Sequence, residues 1–187
     1  AGHFSNKVAL KFLFLTLARS NEVLGARWDE IDLDKALWRI PAERMKMREA
    51  HTIPLQRQAV ELLQSLQGVT GKSPCLFPSR SNFHRPASLG LFGKIITRMG
   101  YAGRFTPHGI RVTGSTILNE MGFRSDIIER QLAHTERNKT RAAYNRAEYL
   151  AERREMMQTW GDMIEEAERG NSVVVPGRFG HARGAGV

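Results

Sequence analysis

The sequence predicts a mostly helical α+β domain that contains one small antiparallel sheet. Apolar residues at helical spacing recur through most of the first 168 positions. Residues 31–55 instead contain short runs of alternating apolar and polar residues, which are typical of strands. At 187 residues the chain is long enough to bury one full core but too short for two large domains.

The N-terminal region predicts two consecutive helices. Residues 7–17 are strongly apolar and predict a buried helix. Ser20 or Asn21 can cap a short second helix, because hydroxyl and amide side chains accept bonds from the unpaired N–H groups at a helix start. Glu22 then falls in the first turn, and Gly25 interrupts the pattern.

The sheet is predicted from three short runs. Residues 31–33 and 37–40 are separated by a turn candidate, and residues 52–55 follow a polar stretch. We therefore expect three antiparallel strands, with Lys46 in the connection between the second and the third.

The rest of the chain predicts five helices, over residues 56–67, 88–99, 107–121, 125–132 and 147–168. Thr106-Pro107 is a strong helix start, because a hydroxyl cap precedes proline at the first helical position. Gly122 is a suitable stop. From Gly170 the composition shifts to Gly, Val, Pro and Arg. We expect residues 1–169 to form the domain and residues 170–187 to be a flexible or docking tail.

Charge and composition narrow the function classes. The net charge of +9 favours a polyanionic partner, chiefly nucleic acid. No apolar run approaches the ~20 residues that span a bilayer, and the first residues do not resemble a signal peptide. The single cysteine, Cys75, excludes a disulfide within the chain and favours a reducing, cytoplasmic setting. We interpret Cys75 as a small buried residue rather than a catalytic thiol.

Six residues form an ordered series whose chemistry suits attack on a phosphodiester, namely Arg19, Lys46, His108, Arg111, His134 and Tyr144. Arginine forks neutralise a phosphate in bidentate geometry. Lysine or histidine can transfer protons, and tyrosine can act as a covalent nucleophile. His108 and Arg111 are three residues apart in a predicted helix and therefore share a face near its N-terminus. The chain shows no Walker loop, zinc-ligand spacing or dinucleotide fingerprint, so we expect neither a cofactor nor a metal.

Tyr144 is singled out among three tyrosines by its position ten residues after His134. Tyr101 lies in a glycine-flanked loop upstream, and Tyr149 fits the apolar stripe of the last helix. A phenol is almost fully protonated at neutral pH, so it attacks only in a positive surround or beside a base. Taken alone, each residue of the series also fits an ordinary surface role.

The series resembles the catalytic signature of the tyrosine recombinases, the phage-integrase family, over roughly residues 8–165. The resemblance rests on H-G-I-R at 108–111, on L-A-H at 132–134 and on A-A-Y-N-R around Tyr144. R-M-K-M at 44–47 is similar to integrases of satellite phages and genomic islands. The resemblance implies a DNA breaking-rejoining catalytic domain.

The resemblance also implies how a phosphate would be held without a metal. Arg19 and Arg111 would clamp the non-bridging oxygens of the scissile phosphate, and His134 would donate a hydrogen bond to it. Glu22 keeps the family spacing of an acidic residue three positions after the arginine, and would orient Arg19.

The remaining roles concern the attacking oxygen and the leaving oxygen. Tyr144 would attack to give a 3′-phosphotyrosyl enzyme, without ATP. Lys46 would be the acid for the leaving 5′-oxygen, with Arg44 and Arg48 as near competitors, and His108 would assist proton transfer.

The function expected from this resemblance is integration and excision of a mobile element, such as a prophage or genomic island, at double-stranded attachment sites. Self-association on DNA and accessory excision or DNA-bending factors are expected, in the cytoplasm of a prokaryote near the nucleoid. We also expect an N-terminal DNA-binding domain of the parent protein to be missing. A type IB topoisomerase, a transposon-type recombinase and a non-catalytic DNA-binding module of the same fold remain alternatives.

Overall fold

The computed structural model describes residues 2–134 and 148–171 of the chain. Within them the elements run in the order α1 (Gly2–Thr16), α2 (Ser20–Leu24), β1 (Ile31–Asp32), β2 (Leu37–Ile40), β3 (His51–Pro54), α3 (Arg57–Thr70), α4 (Leu91–Arg98), α5 (Pro107–Glu120), α6 (Ser125–Gln131) and α7 (Leu150–Glu168). Short 3-10 turns at Trp28–Glu30 and Ala42–Arg44 flank the first two strands. The predicted α+β class is confirmed.

The sheet has the order β1-β2-β3, and both pairs of strands are antiparallel. β2 pairs with β3 from Leu37 opposite Pro54 to Ile40 opposite His51. Three of the four β2 side chains are buried, because the sheet presents one face to the helices. Lys46 lies in the connection between β2 and β3, as predicted.

Helix α1 forms the centre of the core and packs against α2, α3, α5 and α7. Its residues Phe12, Leu13 and Leu15 are fully buried. The ring of Phe12 lies 5.2 Å from the ring of Trp38 on β2, which joins the helix to the sheet. Burial of each such side chain contributes about 1.5–3 kcal/mol, so the packing of α1 contributes strongly to the stability of the core.

Local signals predicted some element ends correctly and others wrongly. The Oγ1 of Thr106 accepts a hydrogen bond from the N–H of Gly109 at 3.1 Å, as expected for the cap of α5. Ser20 and Asn21 are not caps, because α2 already begins at Ser20. The Glu22 carboxylate instead accepts the N–H of Arg19 at 2.7 Å, so the acidic residue closes the helix start from inside.

Other predicted boundaries shift by a few residues. Helix α1 begins at Gly2 rather than at residue 7. Helix α3 runs on to Thr70 because that residue is buried on the same face as Leu66, although Gly68 suggested a loop. Cys75 is buried as expected.

The C-terminal region is described only in part. Helix α7 ends at Glu168, next to the predicted domain boundary, but residues 172–187 lie outside the described residues. The division into a domain and a tail therefore stays a prediction. Within residues 2–134 and 148–171, no helix combines the length and the hydropathy that crossing a membrane requires.

Candidate active site

The carboxyl end of α1 is held by side chains from four other parts of the chain. The last carbonyls of a helix have no partners within it and need donors from elsewhere. Here four successive carbonyls, those of Phe14, Leu15, Thr16 and Leu17, accept hydrogen bonds from the side chains of Trp160, Gln56, Gln131 and Arg111, respectively. Residues of α5, α6, α7 and the start of α3 thus meet at one point, directly before Arg19.

Two non-glycine residues in the left-handed conformation shape this point. Leu17 follows α1 with a φ of 54°, and Ala133 follows α6 with a φ of 48°. Such values are uncommon outside glycine and cost free energy. The carbonyl of Leu17 accepts from Arg111, and the carbonyl of Ala133 accepts from Arg19 at 2.9 Å. Both strained helix ends therefore supply acceptors for the predicted arginine pair.

Gly114 on α5 allows the close approach of Leu17. A Cβ at this glycine would lie 2.6 Å from Cδ2 of Leu17, closer than real side chains approach. The missing side chain lets α5 lie against the end of α1 and places Arg111, one turn earlier, beside the Leu17 carbonyl.

Arg19 is fixed at both ends of its side chain. Its Nη1 donates to Oε1 of Glu22 at 2.8 Å, and its backbone N–H donates to the other oxygen of the same carboxylate. The Glu22 side chain is only 2% exposed, whereas that of Arg19 is 26% exposed. The predicted contact is present, and it leaves part of the guanidinium open to solvent.

Arg111 is buried and anchored to backbone. It donates to the carbonyls of Leu17 and Leu132, the latter at 2.7 Å. Burial, with the nearby charge of Arg19 adding to it, lowers the pKa of the Arg111 guanidinium to about 10. The group therefore stays charged at neutral pH, in a place where few solvent molecules screen it.

His134 follows α6, beside Arg111 and directly after the Ala133 carbonyl that accepts from Arg19. Its Nδ1 is 2.7 Å from Oε2 of Glu129, and its Nε2 is 3.3 Å from Nη2 of Arg111. Sequence analysis missed Glu129. The signal is a carboxylate five residues before the histidine, which the left-handed turn at Ala133 folds back toward the ring.

His108 lies in the first turn of α5 and is exposed. It lines one open pocket together with Arg111 and His134, with Val112 and Leu132 forming part of its apolar wall. His108 and Arg111 therefore share a face of α5 that borders this pocket, and His134 reaches the same pocket from the end of another helix.

Lys46 is exposed in the turn that follows the 3-10 segment Ala42–Arg44. It is not among the residues that line the pocket of His108 and His134. The connection is anchored just before it, because Met45 is buried in the core. Of the five predicted residues that the structure describes, Lys46 is therefore the one that no described contact joins to the others.

The two competitors of Lys46 differ in their availability. Arg44 pairs with the buried carboxylate of Glu30 and donates to the carbonyl of Glu22 at 2.6 Å. It is thus bound to the fold and is a poor candidate for contact with a substrate. Arg48 is exposed, with a φ of 53°, and remains a competitor.

Tyr144 lies outside the described residues, so its predicted role stays a prediction. Arg153 on α7 is fully buried and connects α6 with the described residues just before α7. Its guanidinium donates to Oε1 of Gln131 at 2.8 Å and to the carbonyl of Glu148 at 3.3 Å.

The described residues offer no evident metal site. Among residues 2–134 and 148–171, no group of three or more His, Cys, Asp or Glu side chains is arranged to hold an ion. Arg111 brings positive charge to the pocket that it lines with His108 and His134, and the charge of Arg19 acts on Arg111 from nearby.

Known proteins similar to this chain identify its family. A model described as the phage integrase family matches residues 2–150. The prophage integrase IntA of Escherichia coli K12 is 41% identical over 170 residues, which cover 91% of this chain and 41% of that relative. The chain thus spans less than half the length of the curated relatives that it matches.

Solved structures share the fold at lower identity. An integrase from mycobacterium phage Brujita aligns with a TM-score of 0.62 at 20% identity, covering 84% of this chain and 52% of that one. A lambda integrase dimer bound to a COC′ core site aligns with a TM-score of 0.54 at 17% identity, covering 77% and 52% of the two chains. Because the family model covers most of the sequence and the curated relative agrees with it, this chain belongs to the phage integrase family.

Proposed function

We propose that this protein is a site-specific DNA recombinase that cleaves and rejoins strands through a 3′-phosphotyrosyl intermediate. The observation that carries the proposal is the convergence of Arg19, Arg111 and His134, three residues that lie far apart in the sequence, at the end of α1. We call these three residues the phosphate cluster. Its two cations and one imidazole match what a phosphodiester needs when its negative charge grows during attack.

The phosphate cluster is suited to hold the non-bridging oxygens of the scissile phosphate. Each guanidinium has five N–H donors, of which backbone carbonyls and Glu22 take some. The Arg19 side chain keeps 26% of its surface exposed, and Nη2 of Arg111 faces His134 in the pocket. Donors that are already fixed do not have to reorganise as charge develops, so they lower the barrier to attack.

The other catalytic roles are proposals that follow from the family. Tyr144 attacks the phosphorus and becomes covalently linked to the 3′ end of the strand. Lys46 protonates the leaving 5′-oxygen, and His108 assists proton transfer at the pocket. The attack of a 5′-hydroxyl from another strand then reverses the chemistry and completes strand exchange without ATP.

The proposed substrate is double-stranded DNA at the attachment sites of a mobile element. The net charge of +9 supports this partner, as does the lambda integrase structure with its core site. Self-association on DNA, accessory excision or DNA-bending factors, a place at the nucleoid and a separate N-terminal DNA-binding domain belong to the same proposal for the complete protein.

The test is a suicide substrate, a nicked duplex taken from the DNA that flanks the element. The complete protein should form a covalent adduct, and Tyr144→Phe should abolish the adduct while DNA binding persists. Tyr101→Phe, in an exposed loop, is the matched control and should leave the adduct unchanged. An adduct that persists in Tyr144→Phe would show that another residue is the nucleophile.

Two further measurements distinguish a recombinase from a metal-dependent nuclease and from a topoisomerase. Adduct formation should survive excess EDTA, whereas strict dependence on Mg²⁺ would indicate a different class of nuclease. A second duplex with a free 5′-hydroxyl should be joined to the cleaved strand. Relaxation of supercoils without such joining would favour a topoisomerase.

A further inference from the structure

We infer that Glu129 is a positioning residue that keeps His134 protonated and correctly oriented when a phosphate binds, an inference that rests on the proposed function. The observation is the 2.7 Å contact between Oε2 of Glu129 and Nδ1 of His134. The ring nitrogen on the other side, Nε2, is 3.3 Å from Nη2 of Arg111. The imidazole is thus held between an anion and a cation.

The two neighbours define which nitrogen carries the proton before DNA binds. A guanidinium can only donate hydrogen bonds, so Nε2 of His134 must accept from Arg111. A neutral imidazole then carries its hydrogen on Nδ1, which donates to the Glu129 carboxylate. In this state the nitrogen that faces the pocket has no proton to offer.

A phosphate oxygen at the pocket requires the opposite, because it can only accept. One solution moves the hydrogen of the neutral ring from Nδ1 to Nε2. That tautomer would leave a lone pair of Nδ1 facing the carboxylate of Glu129, two acceptors at hydrogen-bond distance. The other solution adds one proton from solvent at Nε2, so that the imidazolium donates to Glu129 and to the phosphate at once. The Glu129 contact favours the second solution.

The charges around the ring make the carboxylate necessary. The charged and titratable groups near the ring on neighbouring elements of the described chain are Arg111, His108 and Glu120 from α5, Arg19 from the α1–α2 junction with its partner Glu22 from α2, and Glu129 from α6. Two guanidinium groups oppose a third positive charge at this place. Glu129 is the carboxylate in hydrogen-bond contact with the ring, and the incoming phosphate supplies the remaining negative charge.

The backbone at the end of α6 explains why the side chains of Glu129 and His134 lie side by side. The N–H of His134 donates to the carbonyl of Glu129 at 3.0 Å, and Ala133 between them turns in the left-handed conformation. This closure of α6 returns residue 134 to the level of residue 129. The contact therefore comes from the helix end itself and not from a chance surface encounter, although both side chains are about half exposed.

The experiment compares single-turnover cleavage of the flanking-DNA suicide substrate by the complete protein and by Glu129→Gln, from about pH 5 to about pH 8. Glutamine keeps the shape and can still accept from Nδ1, but it carries no charge. We expect nearly equal rates at the acidic end, where solvent supplies the proton readily to both proteins. The defect should grow as the pH rises, to about tenfold at the alkaline end, as for the loss of one charge partner.

Two further variants identify the cause. Glu155→Gln removes the same charge from an exposed position on α7 and should leave the pH profile unchanged. In a His134→Gln background, Glu129→Gln should add no further loss, since its effect acts through the imidazole. Thermal unfolding of each variant checks that the fold is intact.

The outcomes that would overturn the inference are distinct from those that would overturn the proposed function. A Glu129→Gln variant as active as the parent at every pH would mean that a neutral Nε2–H ring serves the phosphate. A loss that is equal at every pH and persists in the His134→Gln background would mean that Glu129 has only a structural role. Normal cleavage by His134→Gln itself would remove the proposed role of the histidine as well.

Discussion

The phosphate cluster and the β2–β3 connection are held in opposite ways. Arg19 and Arg111 donate to backbone carbonyls at the ends of α1 and α6, and Arg111 is only 5% exposed. Lys46 is exposed in a turn, anchored through its neighbours Arg44 and Met45. The fold therefore fixes the groups that are proposed to stabilise charge, whereas the proposed acid would be positioned only when the substrate binds.

The difference has a physical reason. Electrostatic stabilisation is effective only if the donors are oriented before the charge develops, which requires rigid anchors. A proton donor needs to reach a single oxygen late in the reaction. A lysine on an exposed turn loses up to about 2 kcal/mol of side-chain entropy when it is ordered, and contacts with DNA can offset that cost. The predictions below test this division between the two regions.

The largest expected effect is that of Lys46→Ala on cleavage. Loss of a general acid should slow the reaction by about 10² to 10⁴-fold, with no change in unfolding temperature because the side chain is exposed. A substrate with sulfur at the 5′-bridging position should restore the rate, since a thiolate leaves without being protonated. Arg48→Ala is the matched control from the same turn. A loss confined to Arg48→Ala, or a Lys46→Ala defect that sulfur does not relieve, would reassign the acid.

Arg111→Lys should affect both cleavage and stability. A lysine cannot reproduce the fork that serves two carbonyls and a phosphate, so cleavage should fall by about 10² to 10³-fold. At least one of the carbonyls of Leu17 and Leu132 loses its donor, which should lower the free energy of unfolding by about 1–3 kcal/mol. Urea unfolding measures this loss, and Arg39→Lys at an exposed position of β2 is the control. Lost cleavage with unchanged stability would show that the carbonyl anchors are dispensable.

Acidification should lower the free energy of unfolding through the buried residue His51. His51 contacts the carbonyl of Gln131 at 3.1 Å, just behind the cluster, and burial lowers its pKa from 6.5 to about 3. Between these values the unfolded chain binds a proton that the folded chain excludes. Stability contributed by the neutral ring is therefore lost as the pH falls below about 6.5, by at most about 1.4 kcal/mol per pH unit.

His51→Gln should remove that part of the pH dependence, because the amide can donate to the same carbonyl and does not titrate. Urea unfolding at about pH 7 and about pH 5 measures it. His84→Gln, an exposed histidine, should retain the full dependence. An identical dependence of the free energy of unfolding on pH in His51→Gln and the parent protein would mean that the surroundings of His51 are open to water.

The smallest effect concerns the strained helix end at Ala133. A glycine tolerates the φ of 48° and relieves about 1–2 kcal/mol, against about 0.5–1 kcal/mol for the greater freedom of glycine when unfolded. Ala133→Gly should therefore raise the free energy of unfolding by up to about 1 kcal/mol, with cleavage nearly unchanged. Ala151→Gly, on the exposed side of α7, should lower stability instead. A loss of stability in Ala133→Gly would contradict the strain argument.

Short-range signals in the sequence were sufficient for the element types. Alternation over residues 31–55 predicted the three strands, and Thr106-Pro107 predicted the start of α5. The start of α2 was wrong because Glu22 closes it from inside, a local choice between competing side chains that residue preferences do not resolve. The family, and the order of the proposed catalytic residues, followed from the resemblance of short motifs such as H-G-I-R.

Only the tertiary structure decided how those residues are held. The bonds of Arg111 to Leu17, of Arg19 to Ala133 and of Trp160 to Phe14 join positions 94, 114 and 146 residues apart. No local pattern specifies such pairs, because they depend on which helix ends the packed core brings together. The burial of Arg111, the commitment of Arg44 to the fold and the contact of Glu129 with His134 all arise at those meeting points. Residue types and order thus belonged to the sequence, whereas orientation and burial required the whole chain to fold.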